Sequence, residues 1–418
     1  MNKIGVGYAS VTELEKKYVM DALESQRLSQ GKYVAQFEKK FAAMHSNKYG
    51  VMNNSGTNAL HIAFEALKEV DGWDENTEVL VPAITFIATS NAVIHSGLKV
   101  VFVDVDPETY NMNPDEIEKH ITPNTKCVVP VHTFGMPCDM KRITEIAKKH
   151  KLRIVEDCAE SHFAKIGEKT VGSFSDISAF STYVAHTITT GVGGISCTND
   201  VHLAEIMRSL VAHGRACTCE VCIASDGKNV CPKRMKTDLD RRFTFERLGF
   251  SYRVGELEGA LGLAQIERKY EIMDARHKNA EILNGLLEPY EKWLQLPKEP
   301  EGIRHTYMMY PILIKKDSGI ERKDFIQFLE KANIETRPML PLLNQPIYKK
   351  IFGEHFEDNY PVAKYIDNNG FYVGCHHGMT EEELKYIAEK ICNYIETEGG
   401  GYTSIVFTDY AVSFMETA

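Results

Sequence analysis

Six short apolar stretches constrain the fold: EVLVPAITF from Glu78, VVFVDVD from Val100, CVVPVHTFG from Cys127, RIVEDCAES from Arg153, SAFST from Ser178 and GISCT from Gly194. Each is rich in β-branched residues and apolar nearly throughout, as expected for strands covered on both faces. Helical stretches such as MKRITEIAKKH (residues 140–150) lie between several of them. The alternation predicts an α/β fold with a largely parallel central sheet and ligands at the carboxyl ends of its strands. The first 50 residues read as polar helix, with Gly31 breaking the pattern ahead of an apolar-periodic run to His45.

Composition narrows the function. The chain has 418 residues, 43% hydrophobic and 25% charged, ordinary for a globular protein of two or three domains, or of one large and one small. A net charge of −10 argues against nucleic acid or an anionic membrane as the main partner. No apolar run approaches the roughly 20 residues of a membrane span. MNKIGVGYASVTELEKK at the start lacks an apolar signal core, so ten cysteines read as reduced thiols or metal ligands in a cytoplasmic protein.

After VMNN, Ser55, Gly56 and Thr57 open a helix with apolar residues at Leu60, Ala63, Phe64 and Leu67. Free N–H groups and a positive dipole end suit a phosphate there; a plain N-cap is the alternative. Asp157 ends the strand RIVED, where a carboxylate serves as a cap or as partner to a cationic ring nitrogen. His132, in PVHTFG, either reaches a site at the strand ends or is a satisfied structural histidine.

The segment SAFSTYVAHTITTGVGGISCT (residues 178–198) reads as strand, loop with His186, Gly-rich turn and second strand. It resembles the cofactor loop of the DegT-type sugar aminotransferases, fold-type I enzymes that use pyridoxal phosphate (PLP). ETRPMLPLLNQPIY and NNGFYVGCHHGMTEEELKYIAEKI also match, so the resemblance covers roughly residues 5 to 395. It implies a large cofactor-binding domain (1–275, with a Cys-rich insertion at 215–235) and a small C-terminal α+β domain (276–397). The tail 398–418 has no counterpart.

By resemblance, Ser55, Gly56, Thr57 and Ser181 hold the cofactor phosphate, Phe86 stacks on the pyridine ring and Asp157 pairs with the ring nitrogen. Glu160 falls where the family usually has Gln, near the cofactor. Ser251 replaces an Asn that reaches the neighbouring subunit's phosphate, implying a homodimer. Val192 replaces a usual Glu, with no role to assign. Most of the family has a lysine at the position of His186, holding the cofactor as a Schiff base. Imidazole cannot form an imine, and the lysine-to-histidine change marks the 3-dehydratases of nucleotide-linked 4-keto-6-deoxy sugars. The resemblance therefore implies a dehydratase using pyridoxamine phosphate (PMP).

Cys217, Cys219, Cys222 and Cys231 fall within 15 residues. Thiolates so spaced are ligands for zinc or an iron–sulfur cluster; free thiols are the remaining reading. HGRACTCEVC…VCPKRM, continuing to LGFSYRVGELEGALGLAQIER, resembles the iron–sulfur subgroup of the 3-dehydrases. That subgroup's upstream cysteine ligand is Ala159 here. Cys222 takes its place in a self-contained set, and Cys158, one residue displaced, is the weaker substitute. [2Fe–2S] follows from the resemblance, while the compact set also suits [4Fe–4S] or zinc.

The implied mechanism has PMP condense with the C4 ketone while His186, of ordinary pKa about 6.5, acts as general base. The C3 hydroxyl then leaves as water. With a cluster, an NAD(P)H-dependent reductase or ferredoxin-like donor supplies electrons one at a time. The rival readings are an aminotransferase-like enzyme with a structural zinc, or a non-catalytic zinc-bearing relative.

Overall fold

The computed structural model describes residues 2–220, 222, 230–234 and 239–397. Much of the insertion and the whole tail 398–418 lie outside that range. Two helices come first, α1 (Glu13–Glu24) and α2 (Lys32–Met44). α1 starts at a capping box: the Leu14 N–H donates to Thr12 Oγ1 and the Thr12 N–H to Glu15.

The central sheet comprises β1 (Tyr49–Asn53), β2 (Glu78–Pro82), β3 (Lys99–Val103), β4 (Thr125–Val128) and β5 (Arg153–Asp157). Past a small hairpin of β6 (Lys165–Ile166) and β7 (Lys169–Thr170), it is completed by β8 (Ile177–Ser181) and β9 (Gly194–Thr198). Its order is β1-β9-β8-β5-β4-β2-β3. Four pairings are parallel, while β9 runs antiparallel to both β8 and β1. The expected α/β architecture with a mostly parallel sheet is therefore present. Two details differ: GISCT runs antiparallel, and β1 was not among the expected strands. Its YGVMN is too short, and too close to the next helix, to stand out by pattern.

Helices α3 (Gly56–Asp71), α4 (Ile87–His95), the single turn α5 (Pro114–Ile117), α6 (Met140–His150) and α7 (Val201–Val211) cover the sheet. α3 buries Leu60, Ile62, Ala63, Phe64 and Leu67 against strand residues such as Val79, Val81 and Val155. Complete burial of each such side chain contributes about 1.5–3 kcal/mol. α8 (Glu256–Glu267) caps α2 from outside, its Glu256 carboxylate accepting from the N–H groups of Gly31, Tyr33 and Val34.

The long helix α9 (Lys269–Leu287) leads to a second, antiparallel sheet. This contains β10 (Leu294–Gln295), β12 (Tyr310–Ile314), β14 (Gly370–Val373) and β13 (Arg337–Pro338), in that order. β11 (Ile303–Arg304) pairs instead with the β6–β7 hairpin. Tyr310, Phe325, Phe371, Ile387 and Ile391 form a separate core there. The two sheets meet where Thr306 N–H donates to Gly135 O and Met308 N–H to Phe134 O, both at 3.1 Å. Among the described residues no helix is long and apolar enough to cross a membrane.

Candidate active site

Strand register gathers the predicted residues at one edge of the sheet. Asp157 pairs with Ala179, two residues before Ser181; Ser181 pairs with Gly194, and Gly194 with Asn53. From Asn53 the chain turns straight into α3, where the Asn58 N–H donates to Ser55 Oγ at 3.1 Å. A Cβ on Gly56 would sit 2.6 Å from Ser181 Cβ, so the Ser181 hydroxyl lies against the open N–H groups of the helix terminus. Ser55, Gly56, Thr57 and Ser181 thus form a cradle of donors at a positive dipole end, suited to a phosphate. Gly56→Ala should push Ser181 aside and weaken PMP binding by about tenfold, or about 1.4 kcal/mol. An absorbance titration reads this; an unchanged affinity would remove the phosphate from this cradle.

Asp157 is 4% exposed. It accepts from Thr89 Oγ1 at 2.7 Å and from the Ala159 N–H at 3.1 Å. Burial nevertheless raises its pKa, so a cationic partner would stabilise the carboxylate. Phe86, at the start of α4 beyond β2, is 62% exposed, unusual for a large aromatic ring. A flat ring lying on Phe86 with a protonated nitrogen at Asp157 fits both features. Glu160 is buried, accepts from the Phe134 N–H at 2.6 Å, and is pushed up to about 7 by burial and then by the Asp157 charge.

His186 sits in a braced loop. Thr182 N–H donates to Gly193 O, Thr190 N–H to Thr182 O, and the two threonine hydroxyls meet at 2.7 Å. A Cβ on Gly193, at φ +155°, would strike both hydroxyls at 2.5 Å. The imidazole is half-buried, with Nδ1 3.3 Å from Met308 Sδ. Burial, then the nearby Arg276 charge, lowers its pKa to about 4, so it is neutral at pH 7. Arg276 is itself 1% exposed, and its Nη1 donates to the carbonyls of Tyr307, Met308 and Cys375. Sequence reading missed Met308, Arg276 and Thr89; nothing in ATSNA, DARHK or YMMY marks them.

His132 is a structural histidine. The Cys138 N–H donates to its Nδ1 at 3.0 Å, and Nε2 donates to Glu156 at 3.1 Å. Glu156 also accepts from Gly172 N–H, Phe174 N–H and the Ser175 hydroxyl. With Cys158 these two form the one trio of metal-capable side chains within 4.8 Å among the described residues, but their lone pairs are already engaged. Cys217, Cys219, Cys222 and Cys231 are described, and no three of their sulfurs form such a trio. They do not enclose an ion in this arrangement. Cys217 and Cys231 are half-buried, Cys219 and Cys222 exposed; burial, then the neighbouring Cys219 thiol, pushes the Cys217 thiol up. Ser251 is exposed beside Ala212.

The chain is similar to several known sugar-modifying enzymes. GDP-perosamine synthase of Escherichia coli O157:H7 is 35% identical over 94% of this chain and 98% of its own. GDP-4-keto-6-deoxy-D-mannose 3-dehydratase of E. coli O55:H7 is 30% identical over 90% and 96%. Among solved structures, E. coli GDP-4-keto-6-deoxy-D-mannose-3-dehydratase with bound hydrated PLP superposes with a TM-score of 0.83 at 28% identity, covering 94% of this chain and 100% of that one. The sequence matches the DegT/DnrJ/EryC1/StrS aminotransferase family across residues 9–392, and the chain belongs to that family.

Proposed function

We propose that the protein is a PMP-dependent 3-dehydratase of a nucleotide-linked 4-keto-6-deoxy sugar. The observation that carries this reading is the side chain in the β8–β9 loop: an imidazole, with no lysine anywhere between Thr182 and Gly193. Aminotransferases and dehydratases both stand among the relatives, and the absence of an amine favours the second.

PMP, when bound, supplies an amine that engages a ketone and a ring that accepts an electron pair. The Ser55–Thr57 terminus and Ser181 would hold its phosphate, Phe86 its ring face, Asp157 its ring nitrogen, and Glu160 the ring's edge. His186, neutral at pH 7, would take the proton from the C4′ carbon as general base. Phe86, Tyr183 and Val192 are large side chains more than half exposed. A second subunit contributing Ser251 would cover them, making the active unit a homodimer.

Turnover of CDP-, GDP- and dTDP-linked 4-keto-6-deoxyhexoses with PMP, followed by carbon-13 NMR of the product, tests the reading. C3 bearing no oxygen supports it; an amine at C4 with C3 intact overturns it.

A finer reading gives Cys217, Cys219, Cys222 and Cys231 an iron–sulfur cluster served by an NAD(P)H-dependent reductase or ferredoxin-like donor. It rests on the number and spacing of the thiols, not on their present positions. Anaerobically purified protein should be brown, and Cys219→Ser should lose iron while still binding PMP. Colourless protein with one stoichiometric zinc after anaerobic reconstitution would leave only a structural site.

A further inference from the structure

His186 has one side-chain hydrogen-bonding contact among the described residues, and it is the thioether of Met308, 3.3 Å from Nδ1. Catalytic histidines are commonly oriented by a carboxylate or a backbone carbonyl, which fixes the tautomer and stabilises the added proton. A thioether is a weak acceptor. It favours a hydrogen on Nδ1 but offers little to the second proton of an imidazolium. Met308 is 2% exposed and rigidly placed: its N–H donates to Phe134 O and its carbonyl accepts from Arg276 Nη1 at 2.8 Å. The residue that touches the imidazole therefore also fixes a buried guanidinium behind it.

We propose that Met308 is the positioning residue of His186, holding Nδ1 as the protonated nitrogen, leaving the Nε2 lone pair free, and keeping the imidazole a weak base whose conjugate acid returns its proton readily. The inference rests on the proposed dehydratase reading for its chemical use. There, Nε2 of His186 would take the proton from the cofactor's C4′ carbon and would return the same proton to the departing C3 hydroxyl, which leaves as water. The proton is conserved, and the electron pair of the broken C–H bond would leave with the oxygen, so no outside oxidant or reductant is needed. A strongly stabilised imidazolium would take the first proton easily and release it slowly; a thioether neighbour favours the return.

The groups around the ring agree. Arg276 is the charged group that acts on it, and it opposes protonation. His162, with ring centroid 6.4 Å away, is buried and held well below its ordinary pKa by burial first. Tyr183 lies edge-on at 6.5 Å. No carboxylate acts on His186 among the described residues.

Nitrogen-15 NMR of histidine-labelled, cofactor-free protein tests the proposal independently of any reaction, so its failure is distinguishable from failure of the dehydratase reading. His186, assigned by comparison with His186→Asn, should show a protonated Nδ1, a pyridine-like Nε2 and no protonation above about pH 5. Met308→Leu preserves the apolar packing and should mix the tautomers. Met308→Glu adds the carboxylate partner and should raise the His186 pKa by about one unit or more. Should that variant not fold, Met308→Gln supplies a neutral acceptor and should sharpen the Nδ1–H signature. A protonated Nε2 in the native protein, or unchanged His186 shifts in Met308→Leu and in Met308→Gln or Met308→Glu, would overturn the proposal.

Discussion

His186→Asn should still bind PMP and should lose C3 deoxygenation by about 10²- to 10⁴-fold, the usual contribution of a positioned general base. Asparagine keeps polarity and approximate size at the loop but offers no basic lone pair. Ser55–Thr57 and Asp157 lie on other elements, and Ser181 is held at the end of β8 before the loop, so cofactor affinity should change little. His186→Lys should instead let PLP attach covalently, because an amine would stand where the family's lysine stands. Borohydride trapping and mass spectrometry detect the attachment. A lysine that stays unmodified in PLP-saturated protein would place residue 186 away from C4′. Full dehydratase turnover by His186→Asn would remove it as the base.

Acid should unfold this protein over a narrow range. Seven histidines, five buried and two (His186 and His377) half-buried, have pKa values held below the ordinary 6.5: His45, His61, His186, His376 and His377 at about 4, His305 at about 3, and His162 well below it. Burial is the first cause in every case. Each contributes stability that is fully present above the unfolded pKa of about 6.5 and is lost as pH falls toward the folded value. Five carboxyls act in the opposite sense, again by burial: Glu38 and Glu160 are raised to about 7, Asp367 to about 6, and Glu65 and Asp157 are raised as well. The histidines outnumber them by about two protons near pH 5.5, which corresponds to a loss of about 3 kcal/mol per pH unit. Summed from pH 6.5 to 5, that loss approaches the lower end of the stability of a typical fold, about 5–15 kcal/mol. The urea midpoint, followed by circular dichroism, should fall steeply between pH 6.5 and 5. A midpoint flat over that interval would mean that these histidines are not buried neutral.

What was legible in the sequence was what lies locally in it. Asp157, Ser181 and Gly194 end or begin strands whose apolar runs are unmistakable, and Ser55–Thr57 opens a helix whose apolar spacing is regular. Register then does the rest, placing these ends side by side. β1 escaped because five residues between two helices carry too little pattern, although it supplies the turn into the cradle. His132 could be read two ways because burial, not sequence, decides between a ligand and a satisfied core histidine; Glu156 and the Cys138 N–H settle it. Met308 stands 122 positions from His186, and the contact exists only because the second sheet docks on the turn at Phe134 and Gly135. Arg276 reads as one more charged residue on a long helix until that helix is seen to bury it.

The central claim is that a family site with imidazole in place of an amine breaks the C3–O bond rather than making an amino sugar. The most direct measurement is a single turnover: PMP-loaded protein in excess over a nucleotide-linked 4-keto-6-deoxyhexose, with no amino donor and no reductant, quenched and weighed by mass spectrometry. The account predicts a sugar nucleotide that has lost the C3 oxygen. A 4-amino sugar nucleotide that retains it, formed in step with loss of PMP, would contradict the account.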